Sequence, residues 1–372
     1  MVKVSAPGKL FLSGEWAVLD VGNPGIVTSV NKRVFVEIKE SDRISITIDD
    51  FGISDLGAIF DGNELKWDRE LDENETENTQ FIKGSIETAL KYLGKNAKKG
   101  FEIRSWGEQS QVSINGVTKK VGFGSSAASV VATIAGILAF NGADISQRDV
   151  KDKIYKLSAT AHYFVQGKVG SAFDVAASTY GGVFVYRRFD PKWLLEKLEK
   201  GDNLNDVINQ KWPSFEVEEL EIPEGFNLSI GWTKESASTS SMVKQLNEWA
   251  KTNQEERKNL YDQIANLVKE LIPIWKEKNT GKILEMLRRN EDYLRELGEK
   301  SGINIETPDL KMLSEIANRN GAAGKLSGAG GGDCGIAVSF SNDVADKVKQ
   351  EWANSGLYII DATIDYNGVK AD

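Results

Sequence analysis

Residues 121–129 read VGFGSSAAS. A short apolar lead passes through two glycines and two serines into an alanine-rich run. Gly122-Phe123-Gly124-Ser125-Ser126-Ala127 fits two patterns, the dinucleotide fingerprint G-x-G-x-x-[GA] and a phosphate loop opening a helix. The following stretch, Ser125 to Phe140, is apolar on nearly every side, which predicts a buried helix. Backbone N–H groups and the dipole at the start of such a helix attract phosphate, and Ser125 and Ser126 add hydroxyls there.

The dinucleotide pattern needs a buried parallel strand before it and an acid at a strand end ~20 residues on. Asp144 stands at that distance, but its context, NGADISQRD, reads as a helix end and a new N-cap. The lead-in SINGVTKKV is a poor buried strand. An NAD-dependent oxidoreductase is therefore the weaker alternative. A plain strand-to-helix turn would also use glycine for its backbone angles. Two other features favour an enclosed polyanion. One is a second glycine loop, Gly328-Ala329-Gly330-Gly331-Gly332, and the other is Lys9, placed after Pro7-Gly8 at a strand boundary. The signature G-x-x-x-x-G-K-[ST] and the protein-kinase motif set are both absent.

Bulk properties narrow the class. A chain of 372 residues is long for one core and suggests two domains. The formal net charge of -9 argues against a nucleic-acid partner, although lysines gathered locally can still bind anionic substrates. One cysteine, Cys334, and one histidine, His162, exclude an intrachain disulfide and a Cys/His zinc cluster. Any metal should therefore have oxygen ligands, which points to Mg²⁺. No run approaches the ~18 apolar residues of a membrane span, and the N-terminus lacks a secretory pattern. A cytoplasmic protein without a membrane partner is expected, as a monomer or homodimer.

Strands are expected at 2–6 and 10–13, parted by Pro7-Gly8, and at 26–39, 43–48 and 101–106. Residues 50–78 read as a polar surface excursion, and 79–93 as a helix capped by Thr79. Asn115-Gly116 signals a hairpin within 108–120. Helices are expected at 147–166, from Asp174, across 237–300, at 311–324 and at 343–355, with a last strand at 357–364. Strands and helices mix without a strict βαβ rhythm, so the fold class is α+β, divided into 1–215 and 216–372.

Three segments together resemble the GHMP kinase superfamily: SAPGKLFLSGEWAVL (5–19), VGFGSSAAS (121–129) and KLSGAGGGDCGIA (325–337). They stand in the family's order and spacing, and the resemblance covers essentially the whole chain. AHYFVQGKVGSAFDVAASTYGG (161–182) and IGWTKESASTSSMVKQL (230–246) resemble the phosphomevalonate kinase branch. One departure from the wider superfamily is Lys119-Lys120-Val121 where a proline would precede the loop, a feature shared with that branch. His162 stands near where mevalonate kinases tend to carry a metal-binding glutamate, which counts against mevalonate kinase.

The resemblance implies a two-domain α+β fold, ribosomal-S5-like and then ferredoxin-like, with the active site in the cleft between. It implies transfer of a phosphoryl group from ATP to (R)-5-phosphomevalonate. Mevalonate kinase or another small-molecule kinase of the superfamily is the alternative within the family, and a non-catalytic anion-binding protein is the alternative outside enzymes.

Under this resemblance each candidate acquires a role. Lys9 would stabilise the transferred phosphoryl group and the acceptor phosphate; otherwise it is a turn lysine. Asp174 would be the catalytic carboxylate, as base, orienter of Lys9 or Mg²⁺ ligand; otherwise it is an N-cap. Gly122, Gly124, Ser125, Ser126 and Ala127 would cradle the ATP phosphates, with Ser126 a candidate Mg²⁺ ligand. Lys120 would reach the acceptor or the β-phosphate. Lys168 and Ser171 would meet the acceptor, and Ser238, Thr239 and Ser240 its phosphate. Gly328, Ala329, Gly330 and Gly331 would close over the acceptor side, with Ser327 and Asp333 as weaker candidates. His162 is read as structural and Cys334 as a small packed residue.

Overall fold

The computed structural model describes residues 1–372 except 99, 109, 110, 115, 116, 236 and 237; over 111–114 and 117–120 it describes the backbone alone. The chain opens on β1 (Val2–Ser13), an unbroken strand antiparallel to β2 (Pro24–Glu40). Pro7-Gly8 shifts the register instead of ending the strand, so the two short strands expected there are one. β3 (Ile44–Ile48) follows as expected.

The expected excursion over 50–78 is instead β4 (Ile53–Phe60), β5 (Leu65–Trp67) and the first turn of α1 (Glu73–Leu93). These strands add an outer edge to the sheet, so only part of each is buried and their composition stays polar. α1 begins six residues before Thr79. Its cap is Asp72, whose side chain accepts from Glu75 N–H while Glu75 reaches back to Asp72 N–H. Thr79 lies inside the helix, its hydroxyl donating to Glu75 O at 2.8 Å.

β6 (Phe101–Gly107) is followed by a two-stranded hairpin, β7 (Gln111–Ile114) with β8 (Val117–Lys120). The expected turn residues Asn115 and Gly116 lie outside the described residues. Among the described residues β8 pairs only with β7, antiparallel, so the strand leading into Gly122 is not the parallel one that the dinucleotide reading needs. Then come α2 (Ser125–Phe140), α3 (Arg148–Val165), α4 (Phe173–Tyr180) and β9 (Val183–Arg187). The helices α5 (Pro191–Glu199) and α6 (Leu204–Asn209) precede the edge strand β10 (Glu216–Glu219).

The second part contains β11 (Asn227–Trp232), α7 (Thr239–Ala250), α8 (Gln254–Lys276), α9 (Thr280–Ser301) and α10 (Pro308–Arg319). The helix expected to run to residue 324 stops at Arg319. Ala323–Leu326 is β12, whose alternation is hidden in a run of small residues. β13 (Cys334–Ser339), α11 (Asn342–Asn354), β14 (Tyr358–Ile360) and β15 (Lys370–Ala371) complete the chain. The strand expected over 357–364 is thus only its first half. Beyond it the chain crosses back, and β15 pairs with β1.

Two sheets organise these elements. The large one runs β10-β9-β2-β6-β3-β4-β5, with β1 on β2; the small one runs β12-β13-β11-β14. The large sheet is buried on both faces where it meets the small one. Phe11, Val27 and Phe184 point to one face, in a core shared with α2 and α3; Leu10, Ile26, Val183 and Val185 point to the other, against α8, α9, β11 and β13. Alternation by two residues sends successive side chains to opposite faces, so a strand with two buried faces reads as a continuous apolar run.

Candidate active site

β1 meets the N-terminus of α2 just past its Pro7-Gly8 register shift, so Lys9 lies within the strand and not at the strand boundary expected from the sequence. Lys9 N–H donates to Phe123 O at 2.9 Å, and Lys9 Nζ donates to Gly122 O at 3.0 Å. Gly124 is the N-cap of α2, in the left-handed region at φ +75°, and no side chain caps the helix. A Cβ on Gly124 would stand 3.0 Å from Lys9 Cγ and 3.7 Å from Asp174 Cβ. Three distant segments therefore converge at one glycine. Ser125 and Ser126 occupy the first helical turn, where backbone N–H groups have no partner within the helix. Ala127 is buried behind them.

Asp174 is the second residue of α4 and half-buried; Ala172, at φ +60°, holds the N-cap position. The Asp174 carboxylate accepts from Val175 N–H at 2.9 Å. His162, buried on α3, brings Nε2 to 3.4 Å from Ser126 Oγ and stacks on Phe81 at 5.2 Å. Burial pushes the imidazole below its ordinary pKa, and the nearby Asp174 charge partly opposes this. The sequence alone offered no signal for the Ser126 contact, because α3 must fold against α2 to make it.

Two cavities flank this point. One, of about 180 Å³, opens beside Ser125, Ser126 and Ser129 and is walled by Phe51, Asn78 and Phe81. The other, of about 60 Å³, lies between Phe11, Trp16, Phe173, Ser171, Thr239 and Ala329. It gathers four of the predicted acceptor residues, since Gly328 lines it too. Trp16 Nε1 donates to Ala329 O at 3.2 Å and ties the glycine loop to the turn after β1. Ser327 adds a second tie: Phe11 N–H donates to its Oγ at 2.8 Å, and its hydroxyl lies 3.1 Å from Phe11 O.

The other predicted residues lie elsewhere. Gly330 packs so tightly on Ile305 that a Cβ would overlap the Ile305 carbonyl, and Gly331 N–H donates to that oxygen at 2.8 Å. These two glycines fit the loop to its own lobe. Ser238 caps α7, accepting from Ser241 N–H at 3.3 Å, and Ser240 is half-buried in that helix's first turn. Lys168 is exposed, at φ +64°, with its ammonium 5.6 Å from the Phe164 ring. The Lys120 side chain lies outside the described residues. Cys334 is buried, as expected of a packed thiol.

Among the described residues no group of three or more His, Cys, Asp or Glu side chains is placed to hold a metal ion alone. The oxygen donors beside the loop include Ser126 Oγ and the Asp174 carboxylate. This set suits Mg²⁺ arriving with phosphate oxygens that complete its shell.

A glycine-bounded helix N-terminus, a lysine and a carboxylate in a cleft between two α+β lobes define a small-molecule kinase architecture. The chain belongs to the GHMP kinases: residues 80–182 match the family's N-terminal domain and 276–358 its C-terminal domain. It is 32% identical to a phosphomevalonate kinase of Streptomyces sp. (strain CL190), over 98% of this chain and 97% of that one. A phosphomevalonate kinase of Saccharolobus solfataricus is 29% identical, over 98% of both chains. Among solved structures, Streptococcus pneumoniae phosphomevalonate kinase in complex with phosphomevalonate and AMPPNP superposes with a TM-score of 0.80 at 26% identity, covering 98% of this chain and 100% of that one. No described helix is long and apolar enough to cross a membrane.

Proposed function

We propose that this GHMP kinase transfers the γ-phosphoryl group of ATP to (R)-5-phosphomevalonate, giving ADP and (R)-5-diphosphomevalonate. The observation that carries the reading is the meeting of Lys9, Gly124 and Asp174 at the start of α2, between two cavities. Full-length likeness to phosphomevalonate kinases supports the choice of acceptor. We also propose that the enzyme works in the cytoplasm and is built from units 1–215 and 216–372, with β10 and β15 of the second completing the sheet of the first.

An oxygen of the acceptor phosphate attacks the γ-phosphorus of ATP in line. The bond from that phosphorus to the β,γ-bridging oxygen breaks, and its electron pair leaves on ADP. Catalysis of this kind is chiefly positioning and charge neutralisation. The acceptor phosphate, with a second pKa of ~6, is already largely deprotonated near neutral pH, so no strong base is required. The Lys9 ammonium stands between the two anionic reactants and offsets their repulsion. The first-turn N–H groups of α2, with Ser125 and Ser126, receive the nucleotide phosphates, and the cavity walled by Phe51 and Phe81 receives the nucleoside. Mg²⁺ bound with the nucleotide would neutralise charge on its β- and γ-phosphates, held by Ser126 and Asp174. Asp174 also brings a carboxylate to the side of Gly124 that Lys9 faces. The apolar cavity around Phe11, Trp16 and Phe173 takes the carbon skeleton of the acceptor, closed by Gly328 and Ala329.

An ADP-release assay with phosphomevalonate, mevalonate and homoserine tests this reading. Turnover is expected with phosphomevalonate alone. Turnover of mevalonate with none of phosphomevalonate would overturn the assignment.

A further inference from the structure

Gly122 is held at both polar groups of its own backbone. Its carbonyl accepts from Lys9 Nζ at 3.0 Å, and its N–H donates to Asp333 Oδ1 at 3.0 Å. The two charged residues come from opposite ends of the chain and from different lobes. A Cβ on Gly122 would overlap the Asp333 carboxylate, while its backbone lies outside the left-handed region. The carboxylate, not the chain conformation, therefore demands glycine at this position.

Asp333 is itself held firmly. Its carbonyl accepts from Thr233 N–H at 3.0 Å and from Thr233 Oγ1 at 3.2 Å, and its N–H donates to Glu235 O at 2.9 Å. It sits at φ +64°, a conformation costly for a non-glycine residue, so its surroundings must hold it there. Burial raises the carboxyl pKa, while Lys9 and the Gly122 N–H lower it.

We propose that Asp333 is a positioning residue of the phosphoryl transfer. Through the Gly122 N–H it sets the phosphate loop, and through the Gly122 carbonyl it sets the Lys9 ammonium, both against the glycine loop of the second lobe. Two anionic reactants that repel each other must be aligned while the ammonium stays between them. A glycine held at both its N–H and its carbonyl, in the two peptide units that flank its Cα, keeps that ammonium in register with the phosphate cradle. The role needs an acceptor oxygen at residue 333 and does not need its charge.

This inference rests on the kinase reading, and its test separates from it. Steady-state kinetics use whichever acceptor the unmodified enzyme phosphorylates, so a wrong acceptor appears in that enzyme and leaves the variant comparison intact. D333A is expected to lower kcat by about tenfold or more, because small misplacements of reacting groups are costly, while KM for ATP moves less than about threefold. D333N keeps an oxygen for the Gly122 N–H and should restore kcat to within about threefold of the parent. G122A should be slowed by about tenfold on its own, and G122A/D333A should be no slower than D333A, the non-additivity expected of residues in contact. Parent-like kinetics in D333A, a D333N as slow as D333A, or an additive cycle would each overturn the proposal. Should D333A not fold, G122A decides: a normal kcat overturns the proposal and the tenfold loss sustains it.

Discussion

Glu15 and Lys325, 310 residues apart in sequence, form an ion pair in which each side chain is 1% exposed. The second Glu15 oxygen accepts from Asn290 Nδ2 at 3.1 Å, and Asn290 Oδ1 accepts from Ser13 Oγ at 2.9 Å and Gly14 N–H at 3.1 Å. Lys325 also donates to Leu326 O, and Leu326 N–H donates to the buried Glu291. The strand that carries Lys9 is thereby fastened to the strand that leads into the second glycine loop.

Removing one partner of this pair should be far worse than removing both. Lys325→Met strands the Glu15 charge in the interior and is expected to destabilise the fold by about 3–5 kcal/mol. The double variant E15Q/K325M should recover a large part of that loss. Denaturant unfolding of the three proteins measures it, and an unchanged midpoint for K325M would contradict the account.

Lys9→Met removes the ammonium that stands against the phosphate loop. The expected loss in kcat is about 10²–10³-fold, the scale for deleting one preorganised electrostatic group from an active site. Stability should hardly change, since Lys9 is only half-buried. Asp174→Asn should also slow turnover strongly. Full activity in K9M/D174A would refute both roles at once.

Gly124→Ala places a methyl group 3.0 Å from Lys9 Cγ, on a backbone at φ +75°. A non-glycine residue there costs about 1–3 kcal/mol, partly relieved by shifting the phosphate loop. We expect KM for ATP to rise about tenfold, by lost complementarity to the phosphates. Calorimetric titration with AMPPNP checks this directly, and unaltered affinity would argue against the loop as the cradle.

His162 gives a pH signature of stability. Its folded pKa is depressed below the ordinary 6.5 by burial. Above that value the histidine is neutral in both states and carries no penalty. As pH falls below it, the unfolded chain takes up a proton that the folded chain refuses, so stability declines until the folded histidine also protonates. His162→Gln should flatten this part of the stability profile between pH 7 and the folded pKa. Parallel profiles for the two proteins would show that other groups set the acid limb.

Much of the candidate site is legible in the sequence because its signals are local. Glycines at 122 and 124, two serines and an apolar run describe a loop and a helix start within a few residues. Asp72 and Glu75 also spell a capping box in the sequence, and the helix start was misplaced at Thr79 because the acidic run masked it. β4 and β5 were missed for a related reason: half-exposed edge strands carry too many polar residues to stand out from a surface excursion.

The sequence by itself determined the glycine-serine loop as a helix start, the buried helix after it, the α+β class and the family, because each depends on neighbours in the chain or on a few motifs kept in order. Only the tertiary structure decided what those motifs touch. Lys325 stands in a quoted motif with no role of its own and is fully buried; Asp333 reads as a weaker acceptor-side candidate and bonds the Gly122 N–H; His162 reads as structural and lies against Ser126. The physical reason is the same in all three. A long-range hydrogen bond or ion pair leaves no periodicity behind, and it acquires its strength only when the fold removes its groups from water.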